Sequence, residues 1–185
     1  AVTLATKDKK DFDNISKLIP NKEFRIYYSN DLIGTQIGGS LKNIYAIAAG
    51  ISEGLNLGEN AKSALISRSF AEMTRYAKKF KADKNTLFGL SGLGDLILTC
   101  SSTNSRNTQF GIKLASSKYD NFLDLLQSQE VTEGYYTVKA VYNISKKNKI
   151  DMPIMESVYN ILYKQHDLKE ELSNLLNRPI TDEKI

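Results

Sequence analysis

The stretch Gly38-Gly39-Ser40-Leu41-Lys42-Asn43 decides how the chain is read. It lies inside residues 33–55, a helical run rich in small side chains (Gly34, Gly38, Gly39, Ser40, Ala46, Ala48, Ala49, Gly50) with no full polar face. A helix apolar nearly all round belongs at the centre of a bundle, and its small residues let other backbones or a ligand come close. Lys42 sits in the middle of this helix. An unpaired buried ammonium is costly, so the lysine must snorkel to the surface, join a structural ion pair, or face a polar cavity where it takes and returns a proton. Position alone leaves all three uses open.

Downstream the pattern stays helical to about residue 177. Residues 59–79 form an amphipathic run, with Ala64, Leu65, Phe70, Met73 and Ala77 on one face and Arg68, Glu72, Arg75 and Lys79 mostly on another. Further helices are expected at residues 85–90, 95–100, 106–115, 119–127, 136–148, 154–163 and 168–176, with Pro153 and Pro179 as punctuation. Upstream, β-formers at residues 1–6 and 24–29 flank a helical stretch at 11–18. A strand-helix-strand unit cannot bury both faces alone, and it reads as the tail of an α/β domain whose larger part lies upstream. The start at Ala1 rather than Met agrees with a fragment. The expected division is residues 1–31 and 32–185.

With 41% hydrophobic residues in 185, the chain can supply a core, so disorder is not expected. No signal peptide or membrane-spanning run stands out. Cys100 is the only cysteine, which excludes an intrachain disulfide and a cysteine-rich metal site and fits a cytoplasmic setting. The 25 basic against 21 acidic residues favour anionic partners only weakly. The lysine clusters (Lys7, Lys9, Lys10; Lys78, Lys79, Lys81; Lys146, Lys147, Lys149) read as solvated faces, and no aromatic ladder of the kind base stacking requires is evident, so nucleic acid is not an expected partner.

Three further segments could carry chemistry. Asp95 follows Gly89-Leu90-Ser91-Gly92-Leu93-Gly94 and opens an apolar helix, where an aspartate is most often an N-cap. That turn lacks the third glycine and the preceding strand of a dinucleotide fingerprint. Ser105-Arg106-Asn107 opens another helix, and N–H groups at a helix start beside an arginine and an asparagine form a phosphate cradle or a cap. Glu133, beside Gly134, reads as a solvent-facing loop residue, and His166 as a surface residue.

In these segments the chain resembles the bacterial-type NAD(P)-dependent glycerol-3-phosphate dehydrogenases, most densely over residues 38–58, 89–100 and 105–107. The resemblance implies a mainly α chain: an all-helical C-terminal domain like that of phosphogluconate dehydrogenase, preceded by the remnant of a Rossmann-type domain. It implies interconversion of sn-glycerol 3-phosphate and dihydroxyacetone phosphate with NAD or NADP, supplying glycerophospholipid synthesis, in a homodimer. Lys42 then matches the proton acceptor, and Lys42, Asp95, Ser105, Arg106 and Asn107 match substrate contacts. Arg106, Val131 and Glu133 match cofactor contacts, although Thr132 and Tyr135-Tyr136 depart from the residues many relatives carry around that glutamate. With the Gly-rich pyrophosphate loop absent, these residues alone are expected to be inactive and to bind NAD(P)H poorly. The alternatives are another lysine-dependent dehydrogenase of the hydroxyisobutyrate or phosphogluconate type, and a non-catalytic helical interaction module.

Overall fold

The computed structural model describes residues 1–19, 24–116 and 132–179. Strand β1 (Val2–Ala5) pairs in parallel with β2 (Ile26–Ser29), in the register Val2 with Ile26 through Ala5 with Ser29. Parallel neighbours need a crossover, and α1 (Lys9–Lys17) makes it, started by the Asp8 carboxylate accepting from the Lys10 N–H at 2.8 Å. No residue of α1 is buried; Phe12 meets the Tyr28 ring edge-on at 5.2 Å. Val2, Ile15, Leu18 and Tyr27 remain exposed.

Helix α2 (Leu32–Gly54) is the axis of everything else. Asp31 caps it, accepting from Gly34 N–H at 2.8 Å, while its other oxygen accepts from Asp83 N–H at 2.8 Å. Leu41, Ile44, Tyr45, Ala46, Ile47 and Ala49 are fully buried. Helix α3 (Glu59–Lys79) returns antiparallel to it, as the Glu53–Lys62 and Tyr45–Glu72 contacts show. Then come α4 (Lys84–Phe88), a wide π-helical turn (Leu90–Gly94), and α5 (Asp95–Ser101), which continues from that turn. Helices α6 (Arg106–Ala115), α7 (Glu133–Asn148), α8 (Pro153–Lys164) and α9 (Leu168–Leu176) complete the described bundle. Pro153 occupies the first helical position, where its missing N–H costs nothing.

The small residues of α2 are used for backbone contact. A Cβ on Gly50 would stand 2.0 Å from Thr108 O, and one on Gly111 would stand 2.2 Å from Ile47 O, so α2 and α6 cross at a distance only glycine permits. A Cβ on Gly38 would lie 2.0 Å from Ser91 O, which seats the π-helical turn directly on α2. At Gly39 a Cβ would meet nothing within 4 Å.

The strands, the crossover and the mainly helical remainder match the expectation, with boundaries shifted by at most three residues. Three readings change. Asp95 is the first helical residue of α5 and makes no capping bond; Gly94 holds the N-cap position. Glu133 opens α7 and is no loop residue, because that helix starts three residues earlier than its periodicity suggests. Glu72 is 1% exposed despite its place among the charges of α3. The expected helix at 119–127 and Val131 fall outside the described residues.

Candidate functional site

Three helix starts gather around one turn of α2. From α5, Asp95 Oδ2 accepts from Lys42 Nζ at 2.5 Å. Thr99, one turn on, holds the same aspartate, its hydroxyl lying 2.6 Å from Asp95 O and 3.4 Å from Oδ1. The pair is neither sealed nor free: the Lys42 side chain is 24% exposed and that of Asp95 30%. Lys42 therefore does not snorkel away; it points at a carboxylate that solvent, or a small solute, can reach.

The starts of α6 and α7 are tied to the next residue of α2. Asn107 Nδ2 donates to Asn43 Oδ1 at 3.1 Å, and Asn107 Oδ1 accepts from Gly134 N–H at 2.9 Å. Asn107 is buried, and the lack of a side chain at Gly134 makes the approach possible, since a Cβ there would lie 2.6 Å from Asn43 O. Ser105 caps α6, its hydroxyl accepting from Thr108 N–H at 3.3 Å. Arg106 forms an ion pair with Glu133 on the exposed rim, joining the first residues of α6 and α7. N–H groups in the first turn of a helix lack helical acceptors and favour anions, so this rim suits a phosphate.

All the described candidates except the distant His166 thus fall in one place: Lys42, Asp95, Ser105, Arg106, Asn107 and Glu133. Val131 lies outside the described residues. Sequence reasoning missed Asn43, Thr99 and Gly134. Thr99 stands four residues from Asp95, the spacing that puts two side chains on one helix face, and was findable on that signal. His166 is more than a surface residue, because its Nδ1 lies 2.7 Å from Oε1 of the buried Glu171. Cys100 is buried, and burial pushes its thiol up to about 12, so it is no nucleophile.

Elsewhere a row of tyrosines does exist, which the linear sequence hid. Tyr135 stacks on Tyr163, Tyr163 on Tyr159, and Tyr159 approaches Tyr142, whose ring lies 3.7 Å from that of Tyr159. The rings take up one another's faces. Among the described residues no helix is long and apolar enough to cross a membrane, and no cluster of three metal-ligating side chains occurs.

Fold and site together define a helical bundle that follows a parallel strand pair and holds a lysine–aspartate pair where three helix starts meet. The chain belongs to the family described as the C-terminus of NAD-dependent glycerol-3-phosphate dehydrogenase, whose model matches residues 31–173. It is 45% identical over 184 residues to a glycerol-3-phosphate dehydrogenase [NAD(P)+] of Solidesulfovibrio magneticus, covering 99% of this chain and 55% of that protein. The corresponding protein of Staphylococcus haemolyticus is 42% identical over 178 residues, covering 96% and 53%. Among solved structures, glycerol-3-phosphate dehydrogenase from Coxiella burnetii superposes with a TM-score of 0.89 at 37% identity, over 96% of this chain and 55% of that one. The chain spans about half the length of the curated relatives it matches.

Proposed function

We propose that this chain is the substrate-binding and proton-transferring half of an NAD(P)-dependent glycerol-3-phosphate dehydrogenase. The observation that carries this reading is the partly accessible Lys42–Asp95 pair beside the Ser105-Arg106-Asn107 helix start. In reduction of dihydroxyacetone phosphate, the Lys42 ammonium, aimed by Asp95, gives its proton to the carbonyl oxygen as negative charge develops there; in oxidation it takes the hydroxyl proton. Thr99 and Asp95 keep the lysine from swinging away. Ser105, Arg106 and the backbone at the start of α6 bind the phosphate, while Asn107 contacts substrate and sets the distance between α2 and α7.

NAD or NADP, when bound, supplies or accepts the hydride. The exposed Arg106–Glu133 pair, a guanidinium and a carboxylate bridging two helix starts, fits the polar edge of such a cofactor, and Val131 is assigned to the same contact by family resemblance. Residues 1–31 are assigned to the nucleotide-binding domain and 32–185 to the helical domain. A homodimer in the cytoplasm that supplies glycerol 3-phosphate for glycerophospholipid synthesis completes the reading.

The test uses the whole polypeptide that the gene encodes and compares dihydroxyacetone phosphate with unphosphorylated dihydroxyacetone and with a carboxylate analogue. Strong preference for the phosphate is expected. Equal turnover of the carboxylate would favour a hydroxyacid-type dehydrogenase instead. The 185 residues alone are expected to show no turnover and weak NAD(P)H binding by fluorescence; ordinary turnover from them would contradict the domain assignment.

A further inference from the structure

A second concavity lies away from Lys42 and Asp95, between α2, α3, α8 and α9, with a volume of about 1080 Å³. That is at the upper end of the roughly 300–1,000 Å³ typical of small-molecule pockets. The wall supplied by α3 is sorted by polarity. Its N-terminal half contributes Ala61, Ala64 and Leu65, and its C-terminal half Arg68, Glu72 and Arg75. These positions recur at three and four residues, so they form one stripe, about 21 Å long from residue 61 to 75 at ~1.5 Å per residue. From α2, Ala48, Ile51, Ser52 and Leu55 line the trough with the same spacing.

The charged end is fixed by contacts across the trough. Arg75 Nε donates to Asp151 O at 2.8 Å, and Arg178 Nη2 donates to both carboxylate oxygens of Asp151 at 3.2 Å. Glu72 accepts from the N–H groups of Ile154 at 2.6 Å and Met155 at 3.1 Å. Glu171, the remaining acid in the wall, is taken by Asn160 and His166. Every carboxylate among the described residues that line the trough is thus committed within the fold. Arg68 is exposed and makes no hydrogen bond or ion pair among the described residues. Among the described lining residues Arg68 is therefore the charged group left without a polar partner, at the junction between the charged and apolar halves of the α3 wall.

We propose that this trough binds a single-chain amphiphile with a carboxylate head, a long-chain fatty acid, its head paired with Arg68 and its chain running from the Ala61–Leu65 half of α3 onto the apolar lining that α2 and α9 add, Leu55, Leu172 and Leu176 among it. Guanidinium and carboxylate match as a bidentate pair, and the apolar wall rewards a methylene chain at about 25 cal/mol per Å² buried. A peptide strand would fit less well, because the alanine and leucine wall offers few partners for its backbone N–H and C=O groups. This site is independent of the dehydrogenase reading.

The experiment titrates the whole polypeptide that the gene encodes with cis-parinaric acid, a fluorescent long-chain carboxylate, below its micelle concentration. Saturable binding of one probe per chain is expected, displaced by dodecanoate and not by dodecyltrimethylammonium. Arg68→Glu should weaken binding by about tenfold or more. Ala64→Trp, at an exposed wall position, should abolish it without shifting the thermal midpoint measured by circular dichroism. No saturable binding would overturn the assignment. So would binding that both substitutions leave unchanged, or a doubled mass in light scattering with the probe excluded, which would mean that a second copy covers the trough.

Discussion

Asp95 and Glu72 are both carboxylates turned toward α2, and the molecule uses them in opposite ways. Asp95 meets a lysine, keeps nearly a third of its side chain accessible, and spends one oxygen on a hydroxyl. Glu72 meets Tyr45 OH at 3.3 Å and two backbone N–H groups, and is sealed from water. Burial pushes its carboxyl up to about 7, against the lowering effect of those hydrogen bonds and of Arg75. Burial and its charge also push the Tyr45 hydroxyl well above its ordinary value. A carboxylate facing the central helix stays open to a solute where solvent reaches it beside a charged partner, and is architectural where backbone donors consume it.

The comparison can be broken most severely at Gly50, which lets α6 pack against the central helix that both carboxylates face. Gly50→Val places side-chain atoms on the Thr108 carbonyl, and loss of about 3 kcal/mol or more is expected in urea unfolding, enough to prevent folding of a marginal domain. On the architectural side, Glu72→Ala should cost about 3 kcal/mol, since it strands the N–H groups of Ile154 and Met155 and leaves a cavity.

Glu72 also imposes a pH dependence whose sign is fixed. Its proton is held to about pH 7 in the folded chain and to 4.5 in the unfolded one. Between those values the native state binds more protons, so its contribution to stability is full below pH 4.5 and falls as pH rises to about 7, by about 3 kcal/mol. Unfolding midpoints of the wild type and Glu72→Gln across pH 4 to 8 check this; the slope should flatten in the variant. A smaller effect is expected at the site. Asn107→Ala should cost about 1–2 kcal/mol of stability, because it leaves the Gly134 N–H without its acceptor, and Asn107→Asp should recover part of that loss.

The two carboxylates also differ in how much of them the linear sequence discloses. Lys42 stands out because a cation in an apolar helix needs an explanation, and Asp95 because it follows a glycine-rich turn; both features are local. Local signals alone nevertheless leave Asp95 open between a cap and a site residue, since its pairing depends on a lysine 53 residues away and on a π-helical turn that no periodicity announces. Glu72 was unreadable. It shares the i, i+3, i+4 spacing of Arg68, Arg75 and Lys79, and its partners lie 82 and 83 residues downstream. The fold was easier to read, because apolar periods and prolines act within a few residues. The tyrosine stack between α7 and α8 escaped notice for the same reason as Glu72: its members meet only once the helices pack.

The most direct test of the central claim is turnover of dihydroxyacetone phosphate by the whole polypeptide carrying Lys42→Met, with its thermal midpoint measured alongside. A loss on the order of a hundredfold or more in kcat, with the midpoint little changed, is the result expected of a residue that moves the proton. Turnover that survives the substitution would contradict it, and would make the Lys42–Asp95 pair another architectural contact like Glu72.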